Sequence, residues 1–197
     1  MMNQSKDEKI GTVSYLIIIE KLKFQRDKIN VQKLATSAGV SRPWIYKYFG
    51  SSEEEMVLNA IDCMAPQLTE LSKKDSEPTS PKEWARFFLK SIDKTLQEVE
   101  IYPEFFQFYF LSTLFPDEYG KRLIHHEGLF REQKEVPRLK VVFGFSYSEA
   151  RAFAEMTFTL RMGVVMSWMR EENKTKANRQ KILGTVRKYI FDQFKEL

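Results

Sequence analysis

Residues 30–49, NVQKLATSAGVSRPWIYKYF, limit the fold of this chain more than any other stretch, because their small, apolar and turn residues stand where two short crossing helices need them. Helices that cross steeply need a small side chain near the crossing and a turn residue that accepts positive φ. Gly39 supplies the turn, and Ala35 lies one helical turn before it. Leu34, Ala38, Val40, Ile45 and Tyr48 then fall at positions that face a small shared core, and each is apolar or aromatic. The spacing predicts a helix-turn-helix.

The second helix carries its own start signal. Ser41 is placed to N-cap it, and Pro43 falls in the first turn, where a missing N–H costs no helical hydrogen bond. With Ile45 set inward at 100° per residue, Tyr48 and Phe49 lie within about 60° of it, while Pro43, Trp44, Tyr46 and Lys47 point away. An outward face of tryptophan, tyrosine, lysine and proline suits a surface that meets something. Double-stranded DNA is the partner this arrangement favours, with the helix in the major groove and the preceding helix braced on the backbone. Arg42 and Lys47 would contact phosphate or guanine, and Tyr46 and Tyr48 would donate hydroxyls to phosphate. Trp44 would pack on a thymine methyl or the sugar wall, and Asn30 would cap the first helix and aim its amides at a phosphate. The competing reading is an aromatic patch for protein contact.

The surrounding sequence narrows the pattern. Residues 10–62 resemble the DNA-binding domain of TetR-family transcriptional regulators: a long first helix, then LATSAGVSRPWIYKYFGSSEEEMVLNAI, similar to that family's Leu-Ala, Ala-Gly-Val-Ser and Tyr-x-Tyr-Phe pattern and its Glu-rich fourth helix. The resemblance implies an all-α chain, with an N-terminal three-helix helix-turn-helix domain over residues 6–66 and a C-terminal helical ligand-binding and dimerisation domain over 67–197. It further implies a repressor that binds a palindromic operator as a homodimer and is released when a small ligand occupies the second domain. One departure stands out. The family carries a lysine near the start of the fourth helix, where this chain has Ser52 followed by Glu53, Glu54 and Glu55. Ser51 with Glu54, or Ser52 with Glu55, is read instead as a capping box. Ile17, Ile18 and Ile19 are read as helical on the resemblance alone, since β-branched runs favour strands.

Charge agrees with phosphate binding. Residues 1–50 hold nine Lys and Arg against four Asp and Glu, whereas the remainder of the chain is nearly balanced. A hydrophobic content of 43% with 29% charged residues reads as a globular chain, and no apolar run approaches the ~20 residues of a membrane span. The start MMNQSKDEK lacks a signal-peptide core. A single cysteine, Cys63, excludes an internal disulfide and fits a reducing, cytoplasmic setting. Adjacent His125 and His126 would point about 100° apart on a helix, a poor arrangement for one metal. No phosphate loop, nucleophile elbow or zinc motif occurs. The expectation is a non-enzyme with no metal and no cofactor.

Beyond residue 50 the sequence reads as helices broken by prolines. One runs from about Glu53 toward Lys73, closed by the linker KKDSEPTSP. Pro81 opens another, with Trp84, Phe88, Ile92 and Leu96 on one stripe and Phe87 beside it. Pro103 and Pro116 bracket a shorter aromatic helix, and a further one follows Asp117 and ends at or before Pro137. RLKVVFGFSY is read as a loop or a short extended piece. Two last helices span Ser148 to about Arg170 and Lys176 to Phe194.

In the family resemblance those two helices form the dimer interface, which assigns Phe153, Thr157, Val164, Trp168, Leu183, Val186 and Ile190 to it. A regulatory pocket would draw on Trp84, Phe88, Phe105, Phe108, Tyr109, Phe158 and Met162, a lining suited to an apolar or aromatic effector. Two alternatives stand beside this one. A DNA-binding regulator without an effector would have a filled second core; a helical enzyme or lipid carrier would converge activated polar groups on a central aromatic pocket.

Overall fold

The computed structural model describes residues 5–23, 28–69, 77–115 and 117–193. Every regular element among them is helical, which agrees with the all-α expectation. In chain order these are α1 (Lys6–Lys23), α2 (Val31–Ala38), α3 (Arg42–Phe49), α4 (Glu53–Thr69), α5 (Pro81–Ile101), α6 (Pro103–Leu114), α7 (Glu118–Phe130), α8 (Val136–Phe143), α9 (Tyr147–Arg170) and α10 (Lys176–Gln193), with a π-helical turn Arg131–Glu135 between α7 and α8. No described helix is long and apolar enough to cross a membrane. Pro116, linker residues 73–76 and Phe194, all used in the sequence reading, lie outside the described residues.

Two compact units result: Met1–Thr69 with Glu104–Glu127, and Glu70–Pro103 with Gly128–Leu197. In the first, α1 packs chiefly on α4, α2 packs on α1, and α3 packs on α4 and α2. Ile17 and Ile18 are fully buried. Burial of about 1.5–3 kcal/mol per side chain outweighs the few tenths that β-branching costs a helix, so the isoleucine run is helical. Ser5 and Glu8 start α1 with reciprocal hydrogen bonds of 2.8 and 3.2 Å.

The same unit takes in α6 and most of α7, helices that the sequence reading grouped with residues 67–197. Phe105, Phe106, Phe108 and Tyr109 are buried there. Polar ties accompany the packing: Tyr15 donates to Glu104, Tyr109 donates to Glu127, and Asp62 on α4 receives both arms of Arg122 at 2.6 Å and His126 at 2.7 Å. Burial pushes the Asp62 carboxyl up, but the hydrogen bonds from Arg122 and His126 outweigh it and hold the group below its ordinary value of 3.8. A carboxylate with a depressed folded pKa contributes stability that is complete above its unfolded value and lost as pH falls through the folded one. Asp62→Asn should therefore lower stability at neutral pH and flatten the acid limb below about pH 4, read from urea midpoints across pH. An acid limb identical in both proteins would remove Asp62 from that role.

In the second unit α5 packs on α9, α10 and α8. Ser80 caps α5, Pro81 occupies its first turn, and Trp84, Phe88, Ile92 and Leu96 are buried as one stripe. Trp84 stacks on Phe88 at 5.1 Å and meets Phe143 and Phe153 at 5.5 and 5.2 Å. Arg179 on α10 reaches Asp93 at 3.0 Å and Glu100 at 2.7 Å on α5.

Residues 138–143 are helical, not a loop or extended piece; α7 ends at Phe130, before Pro137 as expected, and a π turn carries the helical path on into α8. Proline cannot donate back along a helix, and its ring crowds the carbonyl four residues earlier. The π turn opens the helix at that point, with the Val136 N–H donating to Arg131 O. Leu139 and Val142 are then buried, which favours helix over the extended propensity of the valines, and Gly144 at φ 70° ends α8. Ser146 and Glu149 form the capping box that starts α9.

Candidate nucleic-acid interface

The site is built by three local signals. Asn30 caps α2, its side-chain oxygen accepting from Lys33 N at 3.0 Å. Gly39 ends α2 at φ 63°, ψ 34°, and the Val40 N–H turns back to Ala35 O at 3.0 Å, the reversal that a left-handed residue allows. Ser41 caps α3 by accepting from Trp44 N at 3.3 Å, with Pro43 in the first turn.

The two faces of α3 separate as the helical wheel predicts. Ile45 and Phe49 are fully buried, and Leu34, Ala35 and Ala38 of α2 are buried within the same unit. Arg42, Pro43, Tyr46 and Lys47 are exposed. An Arg42 guanidinium nitrogen lies 3.4 Å from the Tyr46 hydroxyl, so these two side chains share one edge of the helix.

Trp44 departs from the outward expectation. It is half-buried and packs on Tyr48, with ring centroids 4.7 Å apart, and at 6.4 Å from Phe49. The wheel gives the direction of Cα–Cβ, whereas a long side chain leans along its helix and across neighbouring turns. Tyr48 is also half-buried, its ring flanked by Lys47 Nζ at 5.4 Å and by Lys6 Nζ of α1 at 4.9 Å. Lys6 was not singled out from sequence; its only signal there is its share of the N-terminal basic excess.

The acidic start of α4 has a structural role. Ser52 Oγ accepts from Glu55 N at 3.2 Å, and Glu55 Oε2 accepts from the N–H groups of Ser52 and Ser51 at 3.1 and 2.9 Å, so the capping box is Ser52–Glu55 rather than Ser51–Glu54. The backbone N–H groups of Ser52 and Ser51 hold the Glu55 carboxyl below its ordinary range. Gly50, at φ 91°, is needed beside it, since a Cβ there would stand 2.6 Å from Glu55 Cβ. Glu53 receives Lys21 Nζ at 2.6 Å and Ile29 N at 3.3 Å, tying α1 and the approach to α2 onto α4. Lys33 meets the buried Glu20 at 2.8 Å.

The residues expected to form a ligand pocket are divided between the two units. Trp84, Phe88 and Phe158 border a small hollow in the second unit, together with Ser91, Arg131, Glu135, Thr157 and Arg161. Phe105, Phe108 and Tyr109 are buried and belong to the first unit, and half-buried Met162 is absent from that lining. The hollow measures about 20 Å³, room for one water. A larger hollow of about 730 Å³, open to solvent, runs along α5 and α10 and includes Leu183 in its lining.

Among the residues assigned to a dimer interface, Thr157, Trp168, Val186 and Ile190 are buried in the second unit itself, and Phe153 packs in its aromatic cluster. The apolar periodicity of α9 and α10 is thus accounted for within the unit. Val164 and Leu183 are half-buried. The outward stripe of α9 is Ala152, Met156, Thr159 and Gly163, and α10 exposes Tyr189.

Among the described residues no group of metal-ligating side chains converges. Cys63 is exposed at the residue level, yet partial burial raises its thiol above the ordinary range, which disfavours a reactive thiolate. No family model and no curated protein matches the chain.

Proposed function

We propose that this chain is a cytoplasmic, DNA-binding transcriptional regulator of the TetR type, a repressor that binds a palindromic operator as a homodimer and responds to a small ligand. One observation carries the DNA reading: α3 buries Ile45 and Phe49 completely while presenting Arg42, Pro43, Tyr46 and Lys47 to solvent beside a glycine turn. That is how a recognition helix is held from behind and offered to a groove.

The test is a selection from random double-stranded DNA followed by salt titration of the selected site. Lys47→Ala should weaken binding to all sequences and lower the slope of log affinity against log salt by about one unit, the signature of one lost phosphate contact. An unchanged slope would remove Lys47 from the backbone contacts. If the selection enriches no sequence and no DNA is bound at low salt, the reading falls.

The dimer reading is supported by the small and apolar side chains that α9 leaves outside its own core, Ala152, Met156 and Gly163, and by exposed Tyr189 on α10. Two recognition helices are needed to read a palindrome. Sedimentation that returns a monomer bound alone to a half-site would discard it. The volume of about 20 Å³ in the second unit favours a second reading, a regulator with no small-molecule effector.

A further inference from the structure

We propose that the open groove along α5 and α10 docks an acidic amphipathic helix of a partner protein, with its carboxylates on the basic rim and its apolar stripe on the groove floor. The inference concerns a surface other than that of α3 and stands whether or not the chain binds DNA.

The two helices run antiparallel. Arg179, near the start of α10, reaches Asp93 and Glu100 in the second half of α5 at 3.0 and 2.7 Å. The hollow of about 730 Å³ is then lined from Asp93 back to Arg86 on one side and from Gln180 on to Phe191 on the other. At 1.5 Å per residue the α10 wall is about 16 Å long, which a helical segment of about eleven residues, or three turns, would match.

The floor is apolar. Leu89 is buried, and Leu183 and Phe191, which line the same hollow, are half-buried. The rim is basic, with Arg86 and Lys90 one turn apart on α5 and Arg187 and Lys188 on α10, all exposed. Among the described residues one carboxylate, Asp93, shares this lining, and it meets Arg179 from outside it. Glu83, one turn before Arg86, is not part of the lining and accepts from Thr79 N and Oγ1 at 2.8 and 2.7 Å. Along its whole length α10 carries Lys176, Arg179, Lys181, Arg187 and Lys188 against Asp192. Gly184 also lines the groove, within the body of α10, and a Cβ there would meet nothing within 4 Å. The fold therefore does not require glycine at this position, although glycine weakens a helix interior; a bare backbone lets an incoming helix approach closely.

Recessed apolar groups and cations spread along both walls discriminate among anionic partners. A membrane surface needs apolar side chains that project, whereas Leu89 is only 7% exposed. A single phosphate or carboxylate needs cations that converge on one point. Duplex DNA would draw on the charge but not on the apolar floor. A helix with leucine-like residues at i, i+3, i+4 and i+7, flanked by Asp or Glu, uses both. The rim pairs then govern encounter and orientation, and the floor contacts govern residence time.

The experiment is selection of a displayed random-peptide library on the full chain, followed by fluorescence anisotropy of the enriched peptides. Enriched sequences should be acidic, with apolar residues at i, i+3, i+4 and i+7. Gly184→Leu fills the floor from a position where a Cβ is unobstructed, so it should leave the unfolding midpoint unchanged or raised and weaken peptide binding about tenfold or more. Arg86→Glu together with Arg187→Glu should reject the acidic peptide by a similar factor and accept a counterpart with lysine in place of each acid. Should Gly184→Leu fail to fold, that charge exchange decides. No enriched sequence, enriched sequences without the acidic and apolar pattern, or binding that survives both variants overturns the proposal. So does sedimentation in which Gly184→Leu separates a dimer into monomers, which would make a second copy of this chain the occupant.

Discussion

Gly120→Ala should lower the unfolding midpoint more than any other single-methyl change in the chain. A Cβ on Gly120 would press into the carbonyl oxygen of Ser112 and stand 2.9 Å from its carbon. The obstacle is backbone, so no rotamer change relieves it, and α7 would have to move away from α6. Overpacking of this kind costs about 1–3 kcal/mol where side chains can adjust, and the rigid case lies at or above the upper end. Gly120 also donates its N–H to Asp117 Oδ1 at 2.8 Å, the contact that starts α7, so displacement of the helix loosens its first turn as well. The control is Gly128→Ala on the same helix, where a Cβ meets nothing within 4 Å. There the substitution should stabilise by about 0.5–1 kcal/mol through helix propensity. Thermal melts followed by circular dichroism should therefore move in opposite directions. Equal shifts would mean that the close approach of the α6 and α7 backbones does not exist.

The second large effect is expected at Phe49. Its ring is fully buried at the end of α3, and its carbonyl accepts from Asn59 Nδ2 on α4 at 3.0 Å. Phe49→Ala should cost about 3–5 kcal/mol, which approaches the whole stability of a small domain. Loss of DNA binding should be at least as severe, since the residue anchors the back of the helix whose front carries Arg42 and Lys47. Phe49→Leu, closer in volume, should retain most of both. Denaturation midpoints and binding to a selected site measure the two quantities together. A Phe49→Ala protein with wild-type stability would show that α3 is not held through this contact.

Sequence and structure agree most closely where the determinants are local. Asn30, Gly39, Ser41 and Pro43 act within a turn of themselves through caps and backbone geometry, and their roles could be read from residue type and spacing. The same holds for the alternation of buried and exposed positions along α5. What was less legible depends on partners distant in the chain. Nothing in PEFFQFYF states that this segment belongs with the N-terminal helices; that follows from contacts such as Tyr15 with Glu104. The periodicity of α9 and α10 was equally ambiguous, because a stripe records that a face is covered and not what covers it. Residues 138–143 misled for another reason. Their valines and the adjacent Pro137 argue against helix locally, and a single π turn together with the burial of Leu139 and Val142 reverses the outcome.

The acidic start of α4 carries a consequence for how the proposed interface would treat the wrong partner. Lys21 is paired with Glu53 and Lys33 with Glu20, so two cations of the N-terminal excess are matched by carboxylates of their own unit. Such ammonium groups have little capacity to displace the ion atmosphere of an arbitrary polyanion. The domain's affinity for heparin or unrelated duplex would then fall short of what its formal charge suggests, while Arg42, Lys47 and Lys6 remain gathered around one helix. Discrimination is the ratio of fitted to unfitted binding, and it rises when the second term is kept small.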